Sequence, residues 1–275
     1  MKTFDEAAAW DIVEAVQADL EALPQELKQD ILSVAIGGDL VRGDFIPNNS
    51  NLLVFPVIAN RTDLSIYDTA AYQAVREVVN RHCEPYLDCA ECPGVWENLA
   101  FPEIELPTTA ERFDPPTVPQ PQWHSLFLFD LIDHHRVVFG RALFAALYRP
   151  DPKHFTLPSA ARCLQLVRSG KTSHPAGFRT ISHWQALKAI RLLQLHFAPG
   201  KPTIHRRQVL ANYEQHVPDF GLKGFGKKLW EADLAARYPA DRREFTAAHA
   251  GKCGGFIEEA AAVLLQNRST AYAKD

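Results

Sequence analysis

The chain has 275 residues, 47% of them hydrophobic and 23% charged, with a formal net charge of −4. That composition supports one large core or two modest ones, and it excludes a disordered tail, a collagen-like chain and a small disulfide scaffold. The charge is unevenly spread. Residues 1–150 carry 10 Lys/Arg against 23 Asp/Glu, whereas residues 151–275 carry 19 against 10. Within Pro152–Tyr213, 62 residues hold ten basic side chains, five histidines and no carboxylate. Such a block reads in two ways: as a surface for an anionic ligand or acidic partner, or as a face that docks on the acidic half of the same chain.

Met1–Leu23 is acidic and amphipathic and lacks the positive start and apolar centre of a signal peptide. No run reaches the ~20 apolar residues of a membrane helix. Five cysteines in no regular framework suit a reducing compartment. The expectation is a cytoplasmic protein with no membrane partner.

In chain order, Phe4–Leu23 predicts a helix, with Asp5 as its cap and Trp10, Val13, Val16 and Leu20 at helical spacing. Pro24 opens a short helix through Asp30. Leu32–Ile36, closed by Gly37-Gly38, predicts a buried strand and a tight turn. Leu52–Ile58 predicts a second strand, with Pro56 either shortening it or confining it to an edge. Ile66–Arg81 has the spacing of a helix laid across a sheet, and Phe101–Leu106 predicts a third strand. Prolines at 107, 115, 116, 119 and 121 mark a stretch that cannot be a central strand. His124–Ile132 predicts a fourth strand whose exit ends near Gly140. Strands alternating with helices make this half α/β. Beyond residue 141 the strand signals fade, and Arg141–Leu147, Ser159–Val167, His183–Phe197, Arg206–Val217, Phe225–Arg237 and Asp241–Gln266 predict helices, the last interrupted by Gly251, Gly254 and Gly255.

The informative segment is residues 33–55, SVAIGGDLVRGDFIPNNSNLLVF: strand, Gly-Gly turn, short helical turn, polar loop, strand. Backbone N–H groups at a glycine turn leading into a helix can cradle a phosphate, because no side chain blocks close approach. Gly37-Gly38, Arg42-Gly43-Asp44, Phe45, Pro47 and Ser50 match without a gap the opening motif of the DNA polymerase β-type nucleotidyltransferases, in their small prokaryotic branch, and the segment resembles that superfamily. The strand–helix order extends the resemblance over residues 25–145, and the DHHRVVFG segment, residues 133–140, looks like the exit from its last strand.

The resemblance implies a nucleotidyltransferase-like mixed sheet with flanking helices over residues 1–145 and an all-helical, basic domain over residues 146–275. It implies nucleotide contacts from Gly37, Gly38, Arg42, Ser50 and Asn51, and a ligand held in a cleft between the two domains, with ATP or another nucleoside triphosphate as the cofactor it brings. The family holds two Mg²⁺ ions on three acids to align the triphosphate and activate the attacking hydroxyl. Here its paired carboxylates fall on Asn51 and Leu53, and a register shifted by two places them on Asn49 and Asn51, so neither supplies an acid. A third acid survives as Glu103 or Glu105. The resemblance therefore implies a decayed catalytic site that binds a nucleotide or another phosphate-bearing ligand. Two alternatives stay open: an active nucleotidyltransferase that uses Glu103 or Glu105 with Asp44, and a non-catalytic, antitoxin-like partner whose basic helices dock on an acidic protein.

Other groups weigh less. Cys83, Cys89 and Cys92, with His82, offer three clean ligands for zinc where four are needed, against the reading of three reduced thiols in a loop. Asp133-His134-His135 spells the signature of a phosphoesterase family without its upstream acids, and reads as a polar turn. Arg162, Arg168, Lys171, Arg179, Lys188, Arg191, Lys201, Arg206 and Arg207 could contact phosphates. The other reading makes them a solvated face opposite the stripe Trp184, Leu187, Ile190, Leu193 and Phe197. The aromatics lie on that stripe, which disfavours nucleic acid. No P-loop, dinucleotide fingerprint or Gly-x-Ser-x-Gly context occurs.

Overall fold

The structure, a computed structural model, describes residues 3–47, 50–59, 65–86, 96–98, 100–102, 106, 108–109, 125–149, 151–152, 156, 181–198, 203–235 and 239–271. It is a mixed α/β protein that divides into two compact units, Met1–Pro150 and Asp151–Asp275.

In the first unit, α1 (Glu6–Glu21) starts where Asp5 accepts a hydrogen bond from the Ala8 amide at 2.9 Å, filling one of the orphan donors of the first turn. A short α2 (Gln25–Lys28) leads into β1 (Ile31–Gly37), followed by the single turn α3 (Asp39–Arg42) and β2 (Leu52–Ile58). A 3₁₀ turn at Ile66–Asp68 precedes α4 (Ala70–Cys83), whose cap is Thr69. Then come β3 (Trp96–Asn98), β4 (Phe101–Pro102), α5 (Ser125–Asp133), β5 (His135–Gly140) and a 3₁₀ turn at Leu143–Ala146.

The sheet has the order β3-β2-β1-β5, with β4 also on β2. β1 is antiparallel to both β2 and β5, while β3 and β4 run parallel to β2. On one face α1 and α4 bury Ile12, Val13, Val16, Val75 and Val79 against Val34, Ile36, Val54 and Ile58. The rings of Phe55, Phe101 and Phe144 meet one another at 6.0–6.4 Å.

Two expectations are corrected here. Pro56 does not confine β2 to an edge, since β2 is an interior strand. Among the described residues β3 pairs with Leu52–Val54 and β4 with Val57–Ile58, so neither parallel ladder includes Pro56, a position where a missing N–H is tolerated. The apolar run predicted as a strand at His124–Ile132 is helix α5, and the strand comes after it. Six apolar residues within nine positions do not settle helix against strand by period, and this run is rich in Leu and Phe, whereas β5 holds the β-branched pair Val137-Val138.

In the second unit the described elements are α6 (Ile181–Phe197), α7 (Arg206–His216), α8 (Lys223–Ala235) and α9 (Pro239–Ala271). The predicted helix at Ser159–Val167 lies outside the described residues. α6 packs against the other three helices. Gly226 lets α8 lie close to α7 and α9: a Cβ there would meet the Tyr213 hydroxyl at 2.5 Å and the Phe256 ring at 2.6 Å. α9 runs unbroken through Gly251, Gly254 and Gly255, so these glycines do not interrupt it as expected.

Candidate functional site

The site begins where β1 ends. Gly38 has φ 77° and ψ −153°, a conformation open essentially to glycine alone, and it turns the chain into α3. Gly43, with φ 70° and ψ 26°, closes that turn in the left-handed conformation. The antiparallel register sets Gly37 opposite Leu53. Leu53 reaches over the turn: a Cβ on Gly38 would lie 2.6 Å from its Cδ1. On Gly37 a Cβ would lie 2.9 Å from the Phe55 ring and 3.0 Å from Leu131 Cδ2. Apolar side chains therefore fill the close approach that these glycines create.

Behind the turn is a buried charge cluster. The Arg42 guanidinium donates to Asp39 and Asp130 through its two terminal nitrogens, and its Nε lies 3.4 Å from Asp44 Oδ2. The Arg42, Asp44 and Asp130 side chains are each no more than 5% exposed, so the pairing is shielded from water. The Ser50 hydroxyl donates to Asp39 Oδ2 at 2.6 Å and accepts from the Ile46 amide at 3.0 Å, tying the polar loop to α3. Asp130 Oδ1 lies 3.2 Å from His134 Nδ1. Carboxylates from α3, from the residue after Gly43 and from α5 thus converge on one guanidinium, and the loop before β2 joins them through Ser50 and Asp39.

Of the residues expected to contact a nucleotide, Gly37, Gly38, Arg42 and Ser50 do gather, and Asn51 sits half-buried just before β2. Their side-chain chemistry is directed inward. Arg42 and Ser50 are engaged with carboxylates, and Gly38 is covered by Leu53. Glu103, Glu105, Cys89 and Cys92 lie outside the described residues. Cys83 is fully buried at the end of α4, and burial pushes its thiol up to about 12, which works against a thiolate ligand. Among the described residues no group of three or more His, Cys, Asp or Glu side chains is arranged to hold a metal ion. The positions the resemblance assigns to magnesium do not fit one: Asn51 carries no charge, and Leu53 offers no ligand and covers the turn.

The sequence alone did not single out Asp39, and Asp130 fell inside the expected strand His124–Ile132. A signal for Asp130 existed. A single carboxylate within the apolar run SLFLFDLI must either face water or be paired in the interior. Asp133-His134-His135 does form the junction of α5 and β5, with the Asp133 carboxylate held by both terminal nitrogens of Arg149, one at 2.5 Å and the other at 2.7 Å.

In the second unit, Lys188 and Arg206 are buried and Arg191 is half-buried, so these three do not form a solvated face. The Arg191 guanidinium lies over the Trp230 ring at 5.3 Å, Trp230 Nε1 donates to the Arg206 carbonyl at 2.9 Å, and Arg206 Nη1 is 3.5 Å from Asp233 Oδ2. Arg162, Arg168, Lys171, Arg179 and Lys201 lie outside the described residues.

No protein-family model and no curated protein matches the chain. No helix among the described residues is long and apolar enough to cross a membrane.

Proposed function

We propose that the chain is a nucleotidyltransferase-type protein that has lost metal-dependent transfer and binds a nucleotide or another phosphate-bearing ligand. The reading is supported by the order strand, Gly-Gly turn, single helical turn, polar loop and antiparallel strand, followed by a long helix and strands parallel to the second. The observation that carries the loss of transfer is Leu53 lying on Gly38, with Asn51 two residues before it. Two-metal transfer needs fixed carboxylates beside the triphosphate, and neither side chain supplies one. The phosphate-bearing ligand is supported by the acid-free basic stretch Pro152–Tyr213.

One observation favours a second reading, an active transferase. Asp39, Asp44 and Asp130 do gather beside Gly37-Gly38. They are held by Arg42, so this reading requires the guanidinium to leave before any cation enters. Incubation of the full chain with ATP labelled at the α-phosphate, with and without Mg²⁺, separates the two. The proposal expects no labelled protein or small-molecule adduct and a rise in melting temperature with ATP, because a ligand at 100 times its Kd adds about 2.7 kcal/mol. Transfer of label abolished by Asp130→Asn would establish the second reading. No thermal shift with any nucleotide or phosphate would sink the first.

A further inference from the structure

Asp130 and His134 face each other through atoms that the Arg42 cluster leaves unused. Asp130 is 4% exposed, and Arg42 occupies its Oδ2. Its Oδ1 and His134 Nδ1 are both buried, lie 3.2 Å apart, and form no aligned hydrogen bond in the present orientation of the ring. That separation is within hydrogen-bond range, so a small turn of the imidazole closes the bond. An ionised carboxylate only accepts, so the bond places the ring's proton on Nδ1.

The other nitrogen is then the basic one. The His134 side chain is 36% exposed although Nδ1 is shut off from water, so the exposure falls on the rest of the ring. Among the described residues Nε2 has no hydrogen-bond partner. The backbone holds the residue in place: the His134 amide donates to the Asp130 carbonyl at 2.7 Å, and β5 begins at the next residue. The neighbouring side chains are engaged elsewhere, Asp133 with Arg149 and His135 Nδ1 with the Leu131 carbonyl at 2.6 Å. This junction borders the glycine turn, since a Cβ on Gly37 would lie 3.5 Å from the His134 carbonyl. A buried carboxylate behind Nδ1, with Nε2 facing outward, is the arrangement of a general base.

We propose that Asp130 and His134 form a proton-acceptor dyad beside the glycine turn, and that its substrate is a ribonucleoside phosphodiester. Such a substrate suits one base with Asn51 and Leu53 where paired carboxylates would stand. A diester carries one negative charge against the several of a triphosphate, and its 2′-hydroxyl is an internal nucleophile already in place. Nε2 takes the hydroxyl proton as the 2′-oxygen bonds to phosphorus. The bond from phosphorus to the 5′-oxygen breaks, and that oxygen takes a proton from solvent. The products are a 2′,3′-cyclic phosphate and a free 5′-alcohol, and the imidazolium returns its proton to solvent. Asp130 is a positioning residue that acts through His134. The inference rests on the phosphate-ligand reading above and adds a reaction to it.

The test incubates the full chain in EDTA with uridylyladenosine and with its 2′-deoxyuridine counterpart, and reads the His134 ring by ¹⁵N NMR. Cyclic uridine phosphate is expected from the ribose probe alone. His134→Asn is expected to lower its rate at least about a hundredfold, with the calorimetric Kd of the deoxy probe changed no more than about threefold. Asp130→Asn should slow the reaction likewise and release the ring proton from Nδ1. Equal rates in the unaltered protein and His134→Asn would overturn the dyad. So would a proton found on Nε2 in the unaltered protein, a result that needs no variant to fold. Binding of the deoxy probe without cleavage of the ribose probe overturns the dyad yet leaves the phosphate-ligand reading standing. Absence of binding by either probe also overturns the dyad, and joined to absence of ATP binding it removes both.

Discussion

Arg42→Met removes the single guanidinium around which Asp39, Asp44 and Asp130 are arranged, leaving three carboxylates where one cation stood. The Arg42 and Asp130 side chains are each 5% exposed, so water has little access with which to replace the lost partner. Breaking a buried pair by removing one member costs about 3–5 kcal/mol, and the carboxylates left behind place Arg42→Met at the upper end of that range. For a unit of this size, a loss of about 3–5 kcal/mol lowers Tm by roughly 6–20 °C. Asp130→Asn keeps the volume and removes one charge, and it should cost about 1.5–3 kcal/mol as a lost charged hydrogen bond. The double variant should be less destabilised than the two single costs together, by at least about 1 kcal/mol, because no buried carboxylate at 130 then lacks its cation. Hydrogen exchange of β1 and α4 amides reads the stability of the first unit separately from the helical one. If Arg42→Met costs less than about 1 kcal/mol, or the two substitutions are additive, the guanidinium does not hold the site closed and the reasoning fails.

Further predictions concern packing and chemistry. Gly38→Ala should cost about 2–4 kcal/mol, from backbone strain and from overlap with Leu53, and Leu53→Ala in the same chain should recover only the overlap, about 1 kcal/mol, in urea midpoints. Gly140→Ala places a methyl 2.3 Å from the Leu32 carbonyl at φ 76°, so β5 should separate from β1 with a loss of at least about 2 kcal/mol, seen as faster exchange of the Arg141 amide. Cys83 and Cys253 are pushed by burial up to about 12 and about 11, so at pH 8 roughly one thiol in ten thousand and one in a thousand is ionised. Iodoacetamide should leave both unlabelled in the folded protein and label both in urea, and ready labelling of Cys83 in the folded chain would contradict its place in the core.

The parts legible in the sequence were those set by local rules. Asp5 caps α1 through a short side-chain contact, and β1 and β2 follow from apolar runs bounded by Gly37-Gly38 and a polar loop. The parts that were not legible depend on contacts across the chain. Asp130 reaches Arg42 across 88 residues, and no periodicity announces that pairing. Whether Lys188 faced water or the interior turned on where α7 and α8 lie against α6, which the composition of α6 alone does not carry. The glycine turn shows the same limit. Gly37-Gly38 is equally suited to approach by a phosphate or by a leucine, and only the antiparallel register that sets Leu53 opposite Gly37 decides which side chain covers it.

The central claim, a phosphate-binding protein of nucleotidyltransferase type that no longer works through metal, meets its most direct test in the affinity for ATP measured by calorimetry in excess EDTA and again in millimolar Mg²⁺. The account predicts binding in EDTA, with a Kd changed no more than about threefold by Mg²⁺, since the charge is met by fixed side chains and not by a coordinated ion. ATP binding that vanishes in EDTA and returns with Mg²⁺ would contradict it.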